Sequence, residues 1–197
     1  CTGTGVVELA HVAVNQDGRS SSLTAPNGPS QTRVIREAYA GPQIPVESVC
    51  LHGTGTPLGD PIELGALRSA AAEAATDDER WTAVMRVCAV KSSIGHSEPA
   101  SGVAGMLCAV ESLSRKTIHA MIHIRALNAH LNAAASSVVH ATIVPRIVAS
   151  FIGASSASAS AFAFQGTNAH GLARARSTSS WVVGRTSKPH GASSFWL

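Results

Sequence analysis

A chain of 197 residues that is 45% hydrophobic but only 4% aromatic must build its core from Ala, Val, Ile and Leu, and it is long enough for one α/β domain. Its formal net charge of +3 is too weak to argue for nucleic acid, though it permits an acidic protein partner. No apolar run reaches the roughly 20 residues that span a bilayer, and the four cysteines (Cys1, Cys50, Cys88, Cys108) lie far apart with no CxxC pair. That spacing argues against a zinc site and a disulfide framework, so the expectation is no metal and apolar-flanked, reduced thiols. The first residue is Cys1 rather than Met, which reads as an incomplete chain, and nothing in the sequence sets the compartment.

In chain order, Val6 to Val14 mixes β-branched and polar residues and predicts a strand, ended by the turn residues Asn15-Gln16-Asp17-Gly18. Residues 19–28 predict a loop. Pro29 opens a helix with Val34, Ile35 and Ala38 on one face, and Gly41-Pro42 stops it. Val46 to Leu51 predicts a short strand, followed by the loop His52-Gly53-Thr54-Gly55-Thr56-Pro57-Leu58-Gly59. Asp60-Pro61-Ile62-Glu63 has the form of a helix start, with Asp60 as N-cap and Glu63 closing a capping box, and the helix runs to about Ala75. Asp77-Asp78-Glu79-Arg80 reads as a solvated loop.

Val87 to Val90 predicts a second strand, leading into Lys91-Ser92-Ser93-Ile94-Gly95-His96. A helix follows with Ser97 as cap and Val103, Met106, Leu107, Val110 and Leu113 as its apolar stripe, while Gly102 and Gly105 permit close packing. Between 119 and 165 the β-rich runs Val138 to Val148 and Ala149 to Gly153 stand out. From Gly171 onward the chain is Arg, Ser and Gly rich without periodicity. The expected division is therefore a domain over 1–170 and a low-order tail over 171–197.

A strand–loop–helix unit thus occurs twice, each time with a histidine in the loop. Loops at the carboxyl ends of strands gather the chemistry of open α/β sheets, so two of them can converge on one pocket. His119 and His123 are four apart, as helical zinc ligands would be, but no Glu follows His119 and the segment reads as β. They carry no functional expectation, nor do His11, His130, His140, His170 and His190. Gly3-Thr4-Gly5 and Gly53-Thr54-Gly55 mimic pieces of nucleotide loops without completing either motif.

The segment from His52 to Glu63 resembles the second-histidine motif of β-ketoacyl synthases, and Lys91 to Glu98 resembles their KSNIGHxE motif. Val14 to Gly18 and Leu23 to Pro29 are similar to segments of modular polyketide synthases. Leu127-Asn128-Ala129-His130-Leu131 resembles the family's LNPHI segment, and Phe162 to His170 its FGFGGTNAH turn. The resemblance covers roughly residues 6–170 in order. Ser93 stands where Asn is usual, Pro99 where Ala is usual, and Ala163 and Gln165 replace glycines. The Ala-Ser run over 154–161 is longer and simpler than in the family, and the chain after His170 is unlike the family's closing strand.

The resemblance implies the C-terminal half of a thiolase-like α/β fold, a mixed sheet with helices on its faces. It also implies the reaction class, decarboxylative condensation of an acyl thioester with a malonyl-type extender in polyketide or fatty acid biosynthesis. His52 and His96 would stabilise the enolate left when carbon dioxide departs; neutral imidazole suits this, donating from one nitrogen while the other is fixed. Lys91 and Glu98 would be the charged pair that orients the rings. The Phe164 N–H would be one oxyanion donor, the other belonging to a cysteine not in this chain. Thr54 and Thr56 would bond the phosphopantetheine arm of acyl carrier protein, which enters as a substrate carrier, so no cofactor is expected. The implied partners are acyl carrier protein, the N-terminal half of the same ketosynthase, and a second copy in a homodimer.

Two histidines fit the elongating class, since initiating synthases of this fold pair His with Asn and thiolases pair His with Cys. Two alternatives stay open: a non-catalytic partner subunit of the chain-length-factor type, and a decarboxylating loading domain. In every case this chain by itself is expected to be inactive, because no cysteine in it has the nucleophile's context.

Overall fold

In the computed structural model the described residues are 6–18, 25–40, 45–74, 81–124, 128, 141–143, 149–150 and 155–176. The β-branched opening forms strand β1 (Val6–Gln16). Helix α1 (Gly28–Tyr39) follows, with Pro29 in its first turn and the Asn27 carboxamide accepting from the Ser30 N–H, the arrangement that satisfies an otherwise unpaired terminal donor. Then come β2 (Val46–Cys50), α2 (Gly59–Ala74) and β3 (Trp81–Cys88). Next are the one-turn helix α3 (Lys91–Ile94), a 3₁₀ turn (Glu98–Ala100) and α4 (Ser101–Arg115). Short strands β4 (Thr117–Ile118), β5 (Ala141–Ile143) and β6 (Ala149–Ser150) lead to β7 (Ser156–Phe162) and β8 (Thr167–Arg176).

Six strands form one mixed sheet in the order β1-β8-β7-β2-β3-β5, and β4 pairs with β6 apart from it. β1, β8 and β7 are antiparallel neighbours; β7, β2, β3 and β5 run parallel. Helices α1 and α2 cover one face and α4 the other. The first interface is aliphatic: Val34, Ile35, Leu67, Val49, Met85 and Val87 are all essentially buried there.

The Ala-Ser run supplies the centre of the sheet. Side chains alternate along a strand, so Ser156, Ser158 and Ser160 take one face of β7 and Ala157 and Ala159 the other, all buried. The serines are paired: the Ser158 hydroxyl donates to the Ser48 carbonyl, and Ser160 bonds the buried His170 ring at 3.0 Å. The alanine face lets α4 approach so closely that a Cβ on Gly102 would sit 3.0 Å from that of Ala161. A composition that looks featureless in sequence is therefore what two backbones in close contact require.

Several expectations change. The end of the domain lies beyond 170: residues 171–176 complete β8, pairing with β1 as far as Val6↔Arg176, while Glu8 ties Arg174 and Arg176 in a surface ion pair. Long-range pairing holds these residues in a strand despite their lack of periodicity. Ser97 does not cap α4; the helix begins at Ser101 after the 3₁₀ turn, and Ser97 makes no capping hydrogen bond. Residues 91–94, expected in a loop, form α3. The face of α4 on the sheet is Ser101, Gly105, Cys108, Ala109, Ser112 and Leu113. Of the expected stripe, Leu113 is buried and Met106 and Val110 pack partly buried against the sheet, while Val103 and Leu107 turn away from it. Gly41-Pro42, Asp77 to Arg80, most of 127–140, His190 and residues 177–197 lie outside the described residues.

Displaced from the sheet, Val103 and Leu107 of α4 are 64% and 62% exposed, and on the same side β1 exposes Leu9, Val12 and Val14. Leu9, Val12 and Met106 meet at Gly171, which makes the surface continuous. Burying five such side chains from half exposure is worth about 5 kcal/mol, as large as a small domain's net stability. Expressed alone, the 197-residue chain is expected to self-associate and to bind a hydrophobic dye. A monodisperse monomer by light scattering with a sharp thermal transition would show that nothing need cover this face.

Candidate active site

β2 and β3 are parallel neighbours, Cys50 opposite Cys88, so the loops leaving their carboxyl ends emerge side by side. This brings His52 and His96 together, with ring centroids 5.6 Å apart in an edge-on arrangement. Both border a cleft of about 390 Å³ with Thr54, Thr56, Phe162 and Phe164, and a second of about 670 Å³ reaching Glu98, Gly102 and Ala161. Six of the seven expected site residues line one or other cleft; the seventh, Lys91, stands behind His52.

The two rings share a chemical feature. The Phe162 N–H lies 3.4 Å from His52 Nδ1, and the Glu98 N–H lies 3.0 Å from His96 Nδ1. A backbone N–H only donates, so each Nδ1 accepts and each neutral ring carries its proton on Nε2. Lys91 Nζ also lies 3.4 Å from His52 Nδ1. Burial, then the nearby Lys91 and His96, lower the His52 imidazole to about 4. At neutral pH it is an uncharged donor with a fixed tautomer.

Glu98 differs from its expected role. No ion pair joins it to Lys91 among the described residues; its side chain is exposed, and it serves through its backbone N–H on His96. The carboxylate acting on Lys91 is instead Glu63, which raises the ammonium's affinity for its proton against the larger opposing effect of burial.

Glu63 is the residue that sequence reasoning misplaced. It closes no capping box. Its two oxygens accept from the His52 and Gly53 N–H groups at 2.6 and 2.9 Å, from a position 3% exposed. Burial pushes its carboxyl up to about 7, and the two N–H groups pull the other way. Asp60 likewise turns from capping to the loop, accepting from the Gly55 N–H at 3.1 Å. Gly53 sits at φ +51 with the Ala89 Cβ only 2.7 Å from where its own would be, so no side chain fits there.

Thr54 and Thr56 lie at the cleft with hydroxyls 3.4 Å apart, and Thr56 accepts from the Gly59 N–H. Phe164 is 74% exposed in the turn between β7 and β8, and among the described residues nothing accepts from its N–H. A network that the sequence did not announce holds that turn. The Asn168 carboxamide donates to Asp17 Oδ1 (2.6 Å) and Asn15 Oδ1 (3.1 Å), and the Asp17 N–H donates to the Gly166 carbonyl (2.8 Å). Gly166, at φ +87, presses on Asp17 where a Cβ would come within 3.0 Å. The upstream and downstream motifs, about 150 residues apart, are therefore one turn support.

Of the other histidines among the described residues, His123 borders a cleft with Thr54, Lys91 and His96, while His170 is far into the sheet. His170 is buried between Ser160 and Tyr39, and burial lowers its imidazole to about 3. His119 follows β4, and His123 sits at a positive φ in a turn, so they do not share a helix face.

Residues 6–125 match the family model for the C-terminal domain of β-ketoacyl synthase. The chain is 39% identical over 161 residues to mycoketide-CoA synthase of Mycobacterium tuberculosis, covering 80% of this chain and 4% of that protein. It is also 39% identical over 162 residues to pikromycin polyketide synthase component PikAIII of Streptomyces venezuelae, covering 80% and 10%. Among solved structures, the ketosynthase from module 6 of the bacillaene synthase of Bacillus subtilis superposes with a TM-score of 0.73 at 29% identity, over 86% of this chain and 30% of that one. The chain thus spans a small share of its curated relatives and under a third of that thiolase-like neighbour. It belongs to the β-ketoacyl synthase family, as the C-terminal domain of a polyketide synthase-type ketosynthase.

Proposed function

We propose that the complete ketosynthase joins an acyl thioester to a malonyl-type extender on acyl carrier protein, and that this chain supplies its decarboxylation machinery. The observation that carries the reading is the pair of imidazoles whose Nδ1 atoms both accept backbone N–H groups. When the malonyl C–C bond breaks, carbon dioxide leaves and the electron pair moves onto the thioester oxygen. Two Nε2–H groups in fixed orientation meet that charge as it develops, with little reorganisation. The enolate carbon then attacks the acyl thioester carried on a cysteine from the N-terminal half. Its carbonyl oxygen becomes an oxyanion facing the unpaired Phe164 N–H, and collapse expels the thiolate. Thr54 and Thr56, at the mouth of the cleft, bond the phosphopantetheine arm, and Lys91 adds positive potential behind His52.

The test is direct. The complete ketosynthase, given malonyl-acyl carrier protein and an acyl donor, is expected to release carbon dioxide and form the extended β-keto product by intact mass. Release of neither would overturn the reading. Release without condensation would assign the protein to the loading-domain class.

Lys91 separates an electrostatic from a structural role. Lys91→Met removes one of the charges holding His52 down, so the imidazole should rise from about 4 towards 6.5 while staying below it, because burial remains the larger cause. Decarboxylation should fall about tenfold with the thermal midpoint little changed. A collapsed midpoint, with the His52 titration unmoved in NMR, would make Lys91 a structural residue.

A further inference from the structure

The tertiary structure brings together three cysteines that the sequence keeps apart. Cys50 ends β2, Cys88 ends β3 directly beside it, and Cys108 faces both from α4. Their three sulfurs lie within 4.8 Å of one another, and the residues are 2%, 5% and 7% exposed. Three sulfurs each about 2.3 Å from one cation would be about 4 Å apart, so the cluster needs to contract by under an ångström or so. The shell around it is sulfur-rich and apolar: Met106 and Met121, two of the three methionines in the chain, pack against it with Val90, Ile118 and Ala159.

We propose that Cys50, Cys88 and Cys108 form a buried soft-metal site that takes one Cu(I) per chain.

The donor set selects the metal. Zinc favours a fourth ligand completing a tetrahedron, and no His or carboxylate joins the three cysteines among the described residues. Thiolates with thioether neighbours suit Cu(I), which needs neither a hard ligand nor water. On binding, two thiol protons pass to solvent and the third thiol keeps its own. The site then carries one net negative charge, and Lys91 places its positive charge close by. Met121, packed against the cluster, also lines a cleft with Ala89, Lys91 and His96, which gives the nearest approach from solvent. The metal would tie β2, β3 and α4 together two residues before His52 and three before Lys91. This inference stands whether or not the condensation chemistry proposed above is correct.

The test uses the complete ketosynthase, reduced and held anaerobically, titrated with Cu(I) against a chromophoric Cu(I) chelator. One equivalent is expected to stay with the protein, to raise its thermal midpoint, and to show a sulfur-only shell at about 2.3 Å by X-ray absorption. Cys50→Ser and Cys108→Ser should each weaken retention at least about a hundredfold, with metal-free midpoints near that of the parent to show that the variants fold. Retention unchanged in both variants, a nitrogen or oxygen shell, or no copper held against the chelator would overturn the proposal. A purified protein lacking two of these free thiols, its mass 2 Da low, would replace it with a disulfide.

Discussion

His52→Ala and His96→Ala are each expected to cut malonyl decarboxylation by the complete ketosynthase about a hundredfold or more while leaving acyl transfer to the cysteine intact. Removing one oriented donor at a developing oxyanion typically costs on the order of 3 kcal/mol, and in the proposed mechanism each imidazole is such a donor. Acylation of the cysteine does not pass through the enolate, so it is spared. His52→Asn would keep a donor at that position and should lose less than Ala, with the difference in kcat rather than KM, because the interaction strengthens only in the transition state. Carbon dioxide release and intact-protein mass of the acyl enzyme separate the steps. Normal decarboxylation in both alanine variants, with condensation alone lost, would move the histidines out of the enolate role.

Glu63→Ala is expected to damage stability and activity together, because two part-buried N–H groups lose the one acceptor they have among the described residues. Each unpaired buried donor costs about 1–3 kcal/mol. His52 would lose its anchored backbone as well, so a tenfold or greater fall in decarboxylation should accompany a lower midpoint. Glu63→Gln keeps an acceptor and separates hydrogen bonding from charge. In the parent the Glu63 carboxyl is raised from 4.5 to about 7. The folded state therefore binds the proton more tightly than the unfolded, and this group's contribution to stability, full below pH 4.5, is lost as pH rises through 7. The glutamine variant should show a flatter decline of the thermal midpoint between pH 5 and 8. An identical slope in parent and variant would mean that Glu63 titrates normally.

Much of the site was legible because its chemistry is local. His52 with its flanking glycines and threonines, and Lys91 to His96, are contiguous segments whose residue types are set by a strand end, a tight turn and a helix start. Gly53 had to be glycine for reasons of backbone geometry. The Val34, Ile35 and Ala38 face of α1 was likewise readable from helical periodicity, and all three are buried. Where periodicity competed with shape, it misled. Val103 and Leu107 look like part of the core stripe of α4, yet the helix meets the alanine face of β7 closely through Gly102, Gly105 and Ala109, and these two side chains turn outward while Leu113 stays buried.

By itself, then, the sequence determined the element order from β1 to β3, the two histidine loops and the family resemblance, because these follow from patterns within a dozen residues. Only the tertiary structure decided which distant groups meet. It gave Glu63 to the His52 and Gly53 amides instead of a helix cap, put the Glu98 backbone in place of its carboxylate, joined Asn168 to Asp17, extended the domain to Arg176, and closed Cys50, Cys88 and Cys108 around one point. For Glu63, Asn168 and the three cysteines the physical reason is the same. A buried polar or polarisable group is placed by whichever partner satisfies it at least cost in desolvation, and in a layered sheet that partner comes from a neighbouring strand or helix whose distance along the chain leaves no local signature.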